Sequence, residues 1–326
     1  MQTKGIRLTE RIIPIPASLS PEAQSALGLE PPLGRTIWPP LEDKAAWHAS
    51  IARVNGEWEA LLRESTRSLP VRVELGAIAG VRTYVAEPQE IPPQNQDKAL
   101  LYFHGGGLVI MGGECVRHFA AMEAAATRCR VYAVDYRNPP DDPYPAALED
   151  GVAVYRDLLR AYPAAKLVIS GVSGGGNLAA AVPLKLRDLG IELPGAIGLF
   201  TPEVDLTESG DTFHTNRDID VILPQGLPAL NALYADGHDL RDPYVSPLFG
   251  DFSRGFPPTF IQSGTRDLLL SNSVRMHRAL RRAGIPAELH LGEAMPHGGF
   301  GGAPEDRELR EEFLRFLART VAWAPA

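Results

Sequence analysis

Short apolar runs alternate with stretches of helical periodicity from Ala99 to the end of the chain, and this alternation constrains the fold more than any other feature. Leu100 to Phe103 reads as a buried strand and Phe119 to Thr127 as a helix. Val131 to Val134 is again strand-like and precedes a helical stretch from Ala146 to Tyr162. Leu167-Val168-Ile169 forms the next strand, with a helix from about Gly175 to Leu189. Strands near Ala196 to Phe200, Phe260 to Gln262 and Ala287 to Leu291 continue the series. The last helix, about Pro304 to Val321, carries Leu309, Phe313, Leu317 and Val321 on one face. Apolar strands alternating with helices imply an α/β protein with a mostly parallel central sheet and helices on both faces. The helix before the last strand has clear punctuation: Ser271 or Ser273 as a cap, Arg281 and Arg282 in the final turn, then Gly284 and Pro286.

Two regions stand outside this pattern. Residues 1–70 are broken by Pro14, Pro16, Pro21, Pro31, Pro32, Pro39 and Pro40. They hold one short helical pattern starting near Ser20-Pro21-Glu22 and a longer one from Glu42 to Arg67, with Ile51, Val54, Trp58 and Leu61 or Leu62 at helical spacing. Such a segment is too short to carry its own core, so it is expected to be a lid. Residues 205–255, rich in Asp, Pro and aromatics, form a second insertion. The expected division is therefore 1–70 and 205–255 as cap, with 71–204 and 256–326 as core. Val71 to Leu75 and Val81 to Val85 alternate in polarity and predict an antiparallel hairpin at a sheet edge.

A chain of 326 residues with 44% hydrophobic and 22% charged residues has the composition of a soluble globular protein. Its net charge of −8 argues against nucleic acid or an anionic membrane as partner. Cys115 and Cys129 cannot build a disulfide framework and read as free thiols in a reducing compartment, so a cytoplasmic location is expected. Met1 to Arg7 is followed by no apolar core before Glu10 and Arg11, unlike a secretory signal, and no stretch approaches the roughly 20 apolar residues of a membrane span. His48, His118, His214, His238, His277 and His290 show no metal-ligand spacing, and no metal site is expected. A homodimer is left open.

Chemistry-bearing residues cluster at strand ends. Gly171-Val172-Ser173-Gly174-Gly175 is a G-x-S-x-G directly after a strand and before a helix, a context in which a sharp turn lifts the serine hydroxyl out of the sheet. Alone the motif is weak, because glycine-serine turns are common. His104-Gly105-Gly106-Gly107 also follows a strand, and its uncovered N–H groups suit the oxyanion of acyl transfer. Asp267 and His297 follow two further strands, where open α/β sheets place ligands. A solitary Asp or His is usually a solvated surface residue or a cap, but order and placement agree here for three residues at once.

Together these residues resemble the hormone-sensitive-lipase-like esterases, the branch of α/β-hydrolases marked by an HGGG loop. The resemblance runs from about residue 95 to the C-terminus and includes Asp135-Tyr136-Arg137, Pro145 to Asp150, Val204 to Thr207 and Asp242 to Pro247. It implies an α/β-hydrolase fold with a helical cap and a small-molecule ester as substrate, of short acyl chain or a lactone, with no cofactor. Ser173 would attack the acyl carbon, His297 would act as base and then acid, and Asp267 would orient it. Gly105, Gly106 and Gly174 would form the oxyanion hole. Trp38, Trp47, Phe213, Leu223 and Tyr234 are the expected pocket lining, each equally at home in plain lid core. Activity should rise with chain length and then fall sharply. The chain departs from the family at Val172, where Asp is usual, at Gly174, often Ala, at Glu203, where Trp is common, and at Arg137-Asn138-Pro139. Pro183 should bend the nucleophile helix or leave a carbonyl unpaired.

Three rival readings use the same residues or fold. Gly174-Gly175-Gly176-Asn177-Leu178-Ala179 fits a dinucleotide loop, but no ribose-binding acid follows at the expected distance. A binding protein on this fold would be expected to lack His297. An eliminating enzyme would use the same residues and differ in its products.

Overall fold

The computed structural model describes residues 12–29 and 36–324. The segment through Arg11, which bears on the absence of a secretory signal, and Pro31 and Pro32 lie outside the described residues. Two helices open the described chain, α1 (Pro21–Leu27) and α2 (Lys44–Thr66). The edge hairpin follows as β1 (Val71–Ile78) and β2 (Val81–Pro88), antiparallel throughout. The rest alternates: β3 (Ala99–Phe103), α3 (Glu114–Thr127), β4 (Arg130–Val134), α4 (Ala146–Leu158), β5 (Leu167–Val172), α5 (Gly174–Asp188) and β6 (Ala196–Phe200). The insertion holds α6 (Thr212–Thr215) and α7 (Pro228–Ala235), and then come β7 (Thr259–Gly264), α8 (Leu270–Arg282), β8 (Ala287–Gly292) and α9 (Pro304–Val321).

The strands form one eight-stranded sheet in the order β1-β2-β4-β3-β5-β6-β7-β8. From β4 to β8 every pairing is parallel. β3 is buried at all its positions, and so is β7, which is why both read as continuous apolar or small-residue runs. One face is covered by α4, α5 and α8, whose Val154, Leu178 and Met276 join Leu101, Ile169 and Ile261 in a single core. The other face is covered by α3 and α9, where Phe313 packs on Phe260 at 5.2 Å between ring centroids and edge-on to Phe200 at 5.1 Å. Among the described residues no helix is long and apolar enough to cross a membrane.

Two local readings change, and the expected proline inside the nucleophile helix is there. α3 begins at Glu114 rather than Phe119, because Cys115 and Val116 extend its buried face. α8 begins at Leu270 with Leu269 at its N-cap, so neither Ser271 nor Ser273 caps it; both are buried within the helix. The Ser271 hydroxyl instead accepts from Thr212 N–H at 3.0 Å, and its N–H donates to Thr212 Oγ1 at 2.9 Å, tying the insertion to the helix. α5 continues through Pro183, where the missing N–H falls inside the helix.

The two segments outside the alternation meet above the HGGG loop. Trp47, Val54 and Leu62 of α2 share an apolar cluster with Leu230 and Leu233 of α7 and with Val109, Ile110 and Met111, just beyond the loop.

Candidate active site

β5 ends at Val172 and α5 starts at Gly174, so Ser173 makes the turn by itself, with φ 56° and ψ −122°. A non-glycine residue holds such a conformation only when its surroundings fix it. Here the Ser173 N–H donates to the Phe200 carbonyl at 2.9 Å, and its carbonyl accepts from Gly176 N–H at 2.9 Å and Glu203 N–H at 3.0 Å. The glycines after it serve close packing: a Cβ on Gly175 would lie 2.1 Å from the Phe103 carbonyl oxygen. That accounts for the run resembling a dinucleotide loop without any phosphate.

The strand register brings the other groups to the same edge. Phe103 pairs with Gly171, and Gly264 with Gly292, so the loops after β3, β5, β7 and β8 emerge together. The acid and base loops lie against each other at Gly264, where a Cβ would fall 2.0 Å from the Met295 carbonyl oxygen. His297 Nε2 is 2.9 Å from Ser173 Oγ, and His297 Nδ1 is 3.0 Å from Asp267 Oδ1. Asp267 is fully buried, accepts from Ser263 Oγ at 2.6 Å and from Leu269 N–H at 2.9 Å, and so is held in one orientation. Burial pulls the His297 imidazole down, but the hydrogen bond and charge of Asp267, with the charge of Asp220, outweigh it and raise its pKa. Ser173 and His297 are 7% and 9% exposed, enough for a small reactant to reach the hydroxyl and little enough to keep bulk water away.

The HGGG loop lies over the serine. A Cβ on Gly105 would be 3.5 Å from Ser173 Cβ, and one on Gly174 would be 3.0 Å from Gly107 N. Gly106 has φ 108°, a conformation that favours glycine, and it turns the loop beside the nucleophile. Gly174 opens α5, so its N–H has no acceptor within the helix. The departure after Asp-Tyr-Arg has a structural role: Asn138 Nδ2 donates to the Leu108 carbonyl at 2.9 Å, fixing the end of the loop. Arg137 grips the buried Asp150 with Nε at 3.0 Å and Nη2 at 2.8 Å.

A cavity of about 520 Å³ opens beside this constellation. Its wall includes Val172 and Gly298, the sequence neighbours of Ser173 and His297, with Trp58, Phe119, Met122 and Phe200. None of the five residues expected as lining is on the wall of this cavity. Trp47 is fully buried, donates from Nε1 to the Pro40 carbonyl at 3.1 Å and stacks on the half-buried Trp38 at 5.4 Å. Phe213 and Leu223 pack against Leu268 and Leu269 of the acid loop. Tyr234 is fully buried against Tyr144. Tyr234 belongs to the main sheet core, and the other four pack in the apolar clusters around residues 38–62 and 213–233. Sequence spacing does not single out Ser263, Asn138 or Asp220: Ser263 acts through the Asp267 carboxylate, and Asn138 and Asp220 through backbone groups of loops, none of which has a periodic signature.

Glu203 is buried beneath the elbow, and among the described residues its Oε2 meets no hydrogen-bond partner. Burial first, then the charge of Glu208, push its carboxyl up to about 8, against the pull of His297 and Asn231. A folded pKa above the unfolded value of about 4.3 gives a contribution to stability that is complete below that value and lost as pH rises towards 8. Each unit of that shift is worth about 1.4 kcal/mol. Glu203→Gln is therefore expected to flatten the decline in melting temperature between pH 5 and pH 9. Thermal unfolding across that range checks it, and an unchanged slope would contradict it.

An oxyanion-type loop, a strained elbow and an Asp-His pair at the carboxyl edge of such a sheet define an α/β hydrolase. Residues 100–300 match the family described as the alpha/beta hydrolase fold. An acetyl-hydrolase of Streptomyces hygroscopicus is 35% identical over 64% of this chain and 70% of its own length. An esterase of Acinetobacter venetianus is 32% identical over 72% of this chain and 76% of its own. The crystal structure of an esterase, E25, superposes with TM-score 0.89 at 36% identity, covering 98% of this chain and 100% of that one. An esterase from the bacterial hormone-sensitive lipase family superposes with TM-score 0.81 at 29% identity, covering 93% and 99%. The chain belongs to the α/β-hydrolase family, in its hormone-sensitive-lipase-like branch of esterases.

Proposed function

We propose that this carboxylic ester hydrolase works through an acyl-enzyme on Ser173 and takes short- to medium-chain carboxylic esters. The observation that carries the reading is the unbroken line from Ser173 Oγ through His297 to Asp267, at 2.9 and 3.0 Å. His297 Nε2 takes the hydroxyl proton as Oγ attacks the acyl carbon, and returns it to the leaving alcohol. Asp267 holds the imidazole with Nε2 towards the serine and stabilises its charged form. Gly105, Gly106 and Gly174 donate N–H groups to the oxyanion of both tetrahedral intermediates. Water, activated by the same histidine, then releases the acid. A lactone presents the same carbonyl and would give a hydroxy acid.

Residues 1–70 and 205–255 act as the cap, and 71–204 and 256–326 as the catalytic core. The acyl chain occupies the cavity beside Val172, whose size is that of a small-ligand pocket. Each methylene that fits adds about 0.8 kcal/mol, close to fourfold in kcat/KM, until the chain meets the wall. The optimum is expected between roughly C4 and C10. Met122→Trp should fill part of the cavity and move the optimum to shorter chains without abolishing turnover of acetate esters. The measurement is kcat/KM over p-nitrophenyl esters from C2 to C16, with lactones of graded ring size. Efficient hydrolysis at C16 would contradict an acyl site bounded by this cavity.

A further inference from the structure

We propose that Asp220 is a second, positioning carboxylate for the base, one that fastens the insertion to both catalytic loops and holds negative charge behind His297. This rests on the reading of His297 as the base. Asp220 lies between α6 and α7, outside the catalytic core, and is 1% exposed. Its Oδ1 accepts from Ile222 N–H at 2.9 Å and Leu223 N–H at 3.0 Å, which closes its own loop. Its Oδ2 accepts from Leu268 N–H at 2.8 Å and from His297 N–H at 3.1 Å. A single carboxylate thus joins the insertion, the residue after Asp267 and the backbone of His297 itself.

The donor set fixes the ionisation state that fits. All four partners are backbone N–H groups, so an ionised carboxylate satisfies each of them. Burial and the charge of Asp267 push the Asp220 carboxyl up to about 6, against the pull of His297 and of its N–H donors, so it is ionised at neutral pH and gains its proton below that. Two further ties run parallel: Asn216 Nδ2 donates to the Asp267 carbonyl at 2.8 Å, and Thr212 Oγ1 donates to the Leu268 carbonyl at 2.8 Å. Those neutral bonds locate the acid loop, whereas only Asp220 reaches His297 and brings charge.

Three carboxyl groups face the imidazole from three elements: Asp267 after β7, Asp220 from the insertion and Glu203 after β6. Glu203 favours its neutral form at neutral pH, so the charge there comes from Asp267 and Asp220. Asp267 does the orienting at Nδ1. Asp220 adds to the stabilisation of the imidazolium that forms as Ser173 attacks, and it keeps Nε2 on line by holding the main chain.

The test compares Asp220→Asn and Asp220→Glu with the wild type by kcat, KM, pH profile and organophosphonate labelling of Ser173. Asn keeps the shape and removes the charge. Its kcat is expected to fall about 100-fold with KM within a factor of about three, because Asp220 touches no substrate. The acid limb of kcat/KM should move to lower pH by roughly one unit, because loss of a nearby anion makes the imidazole easier to deprotonate. Glu keeps the charge and displaces the tie, so kcat should fall while the limb stays. A fall in kcat for Asn with an unmoved limb would make Asp220 a structural tie and overturn the proposal, as would wild-type kinetics. If the Asn variant does not fold, Asp220→Ser, which also removes the charge, takes its place under the same readouts: a lowered kcat with the limb moved to lower pH upholds the proposal, and an unmoved limb overturns it. A wild type that is not labelled at Ser173 would instead bring down the triad reading. A labelled wild type with indistinguishable variants brings down the role of Asp220 alone.

Discussion

Ser173→Ala is expected to fold as the wild type does and to lose ester hydrolysis by a factor on the order of 10⁴ or more. In the proposed mechanism the hydroxyl forms the acyl bond, and none of the hydrogen bonds that fix the elbow uses it: they run from the Ser173 N–H to Phe200 and to the Ser173 carbonyl from Gly176 and Glu203. Removing Oγ therefore leaves the turn, the oxyanion loop and the cavity in place. A factor of 10⁴ corresponds to about 5.5 kcal/mol of lost transition-state stabilisation. Residual activity would come from binding and the glycine N–H groups acting on water. Initial rates on a p-nitrophenyl butyrate series, with melting temperature measured on the same preparation, check both halves. Near-normal turnover in a clean preparation would remove Ser173 from the chemistry.

His297→Ala is expected to cost a similar factor and to change the pH profile as well. The wild-type base must be neutral to accept the serine proton, and its pKa is raised, so the wild-type acid limb should lie above the ordinary histidine value of about 6.5. Activity rises as pH climbs through that limb. In the alanine variant nothing at Nε2 titrates, and the remaining rate should follow hydroxide without a plateau. The variant should stay folded, because the bond from the His297 N–H to Asp220 is a backbone bond and survives the substitution. A residual profile that keeps the original limb would place the titrating group elsewhere.

How far the sequence carries depends on whether a residue acts by pattern or by contact. The apolar runs of β3, β5 and β7 disclose a buried parallel sheet because each strand is covered on both faces. Ser173, Asp267 and His297 are legible because each follows a strand, and strand ends at one edge converge. The HGGG loop is legible because three adjacent glycines have few structural explanations. The interior of residues 38–62 and 205–255 is less legible. Trp47, Phe213 and Tyr234 have the size and polarity of pocket residues, yet they pack in apolar clusters, and only packing decides between the two. Ser271 carries the mark of a cap, but its hydroxyl is taken by Thr212 from 59 positions away. Asp220 has no mark at all, being one Asp in an irregular acidic stretch, and acquires its role only when the acid and base loops close round it. Glu203, where the family commonly has Trp, shows that a polar residue stands in a buried place but not what its carboxyl faces.

The most direct test of the acyl-enzyme on Ser173 is to treat the purified protein with an organophosphonate and map the adduct by peptide mass spectrometry. One adduct per chain is expected, on Ser173, formed together with loss of esterase activity. It should be absent from Ser173→Ala and formed far more slowly in His297→Ala, where the hydroxyl has no base. Stoichiometric inactivation with the adduct on another residue, or activity that persists after Ser173 is fully modified, would contradict the mechanism.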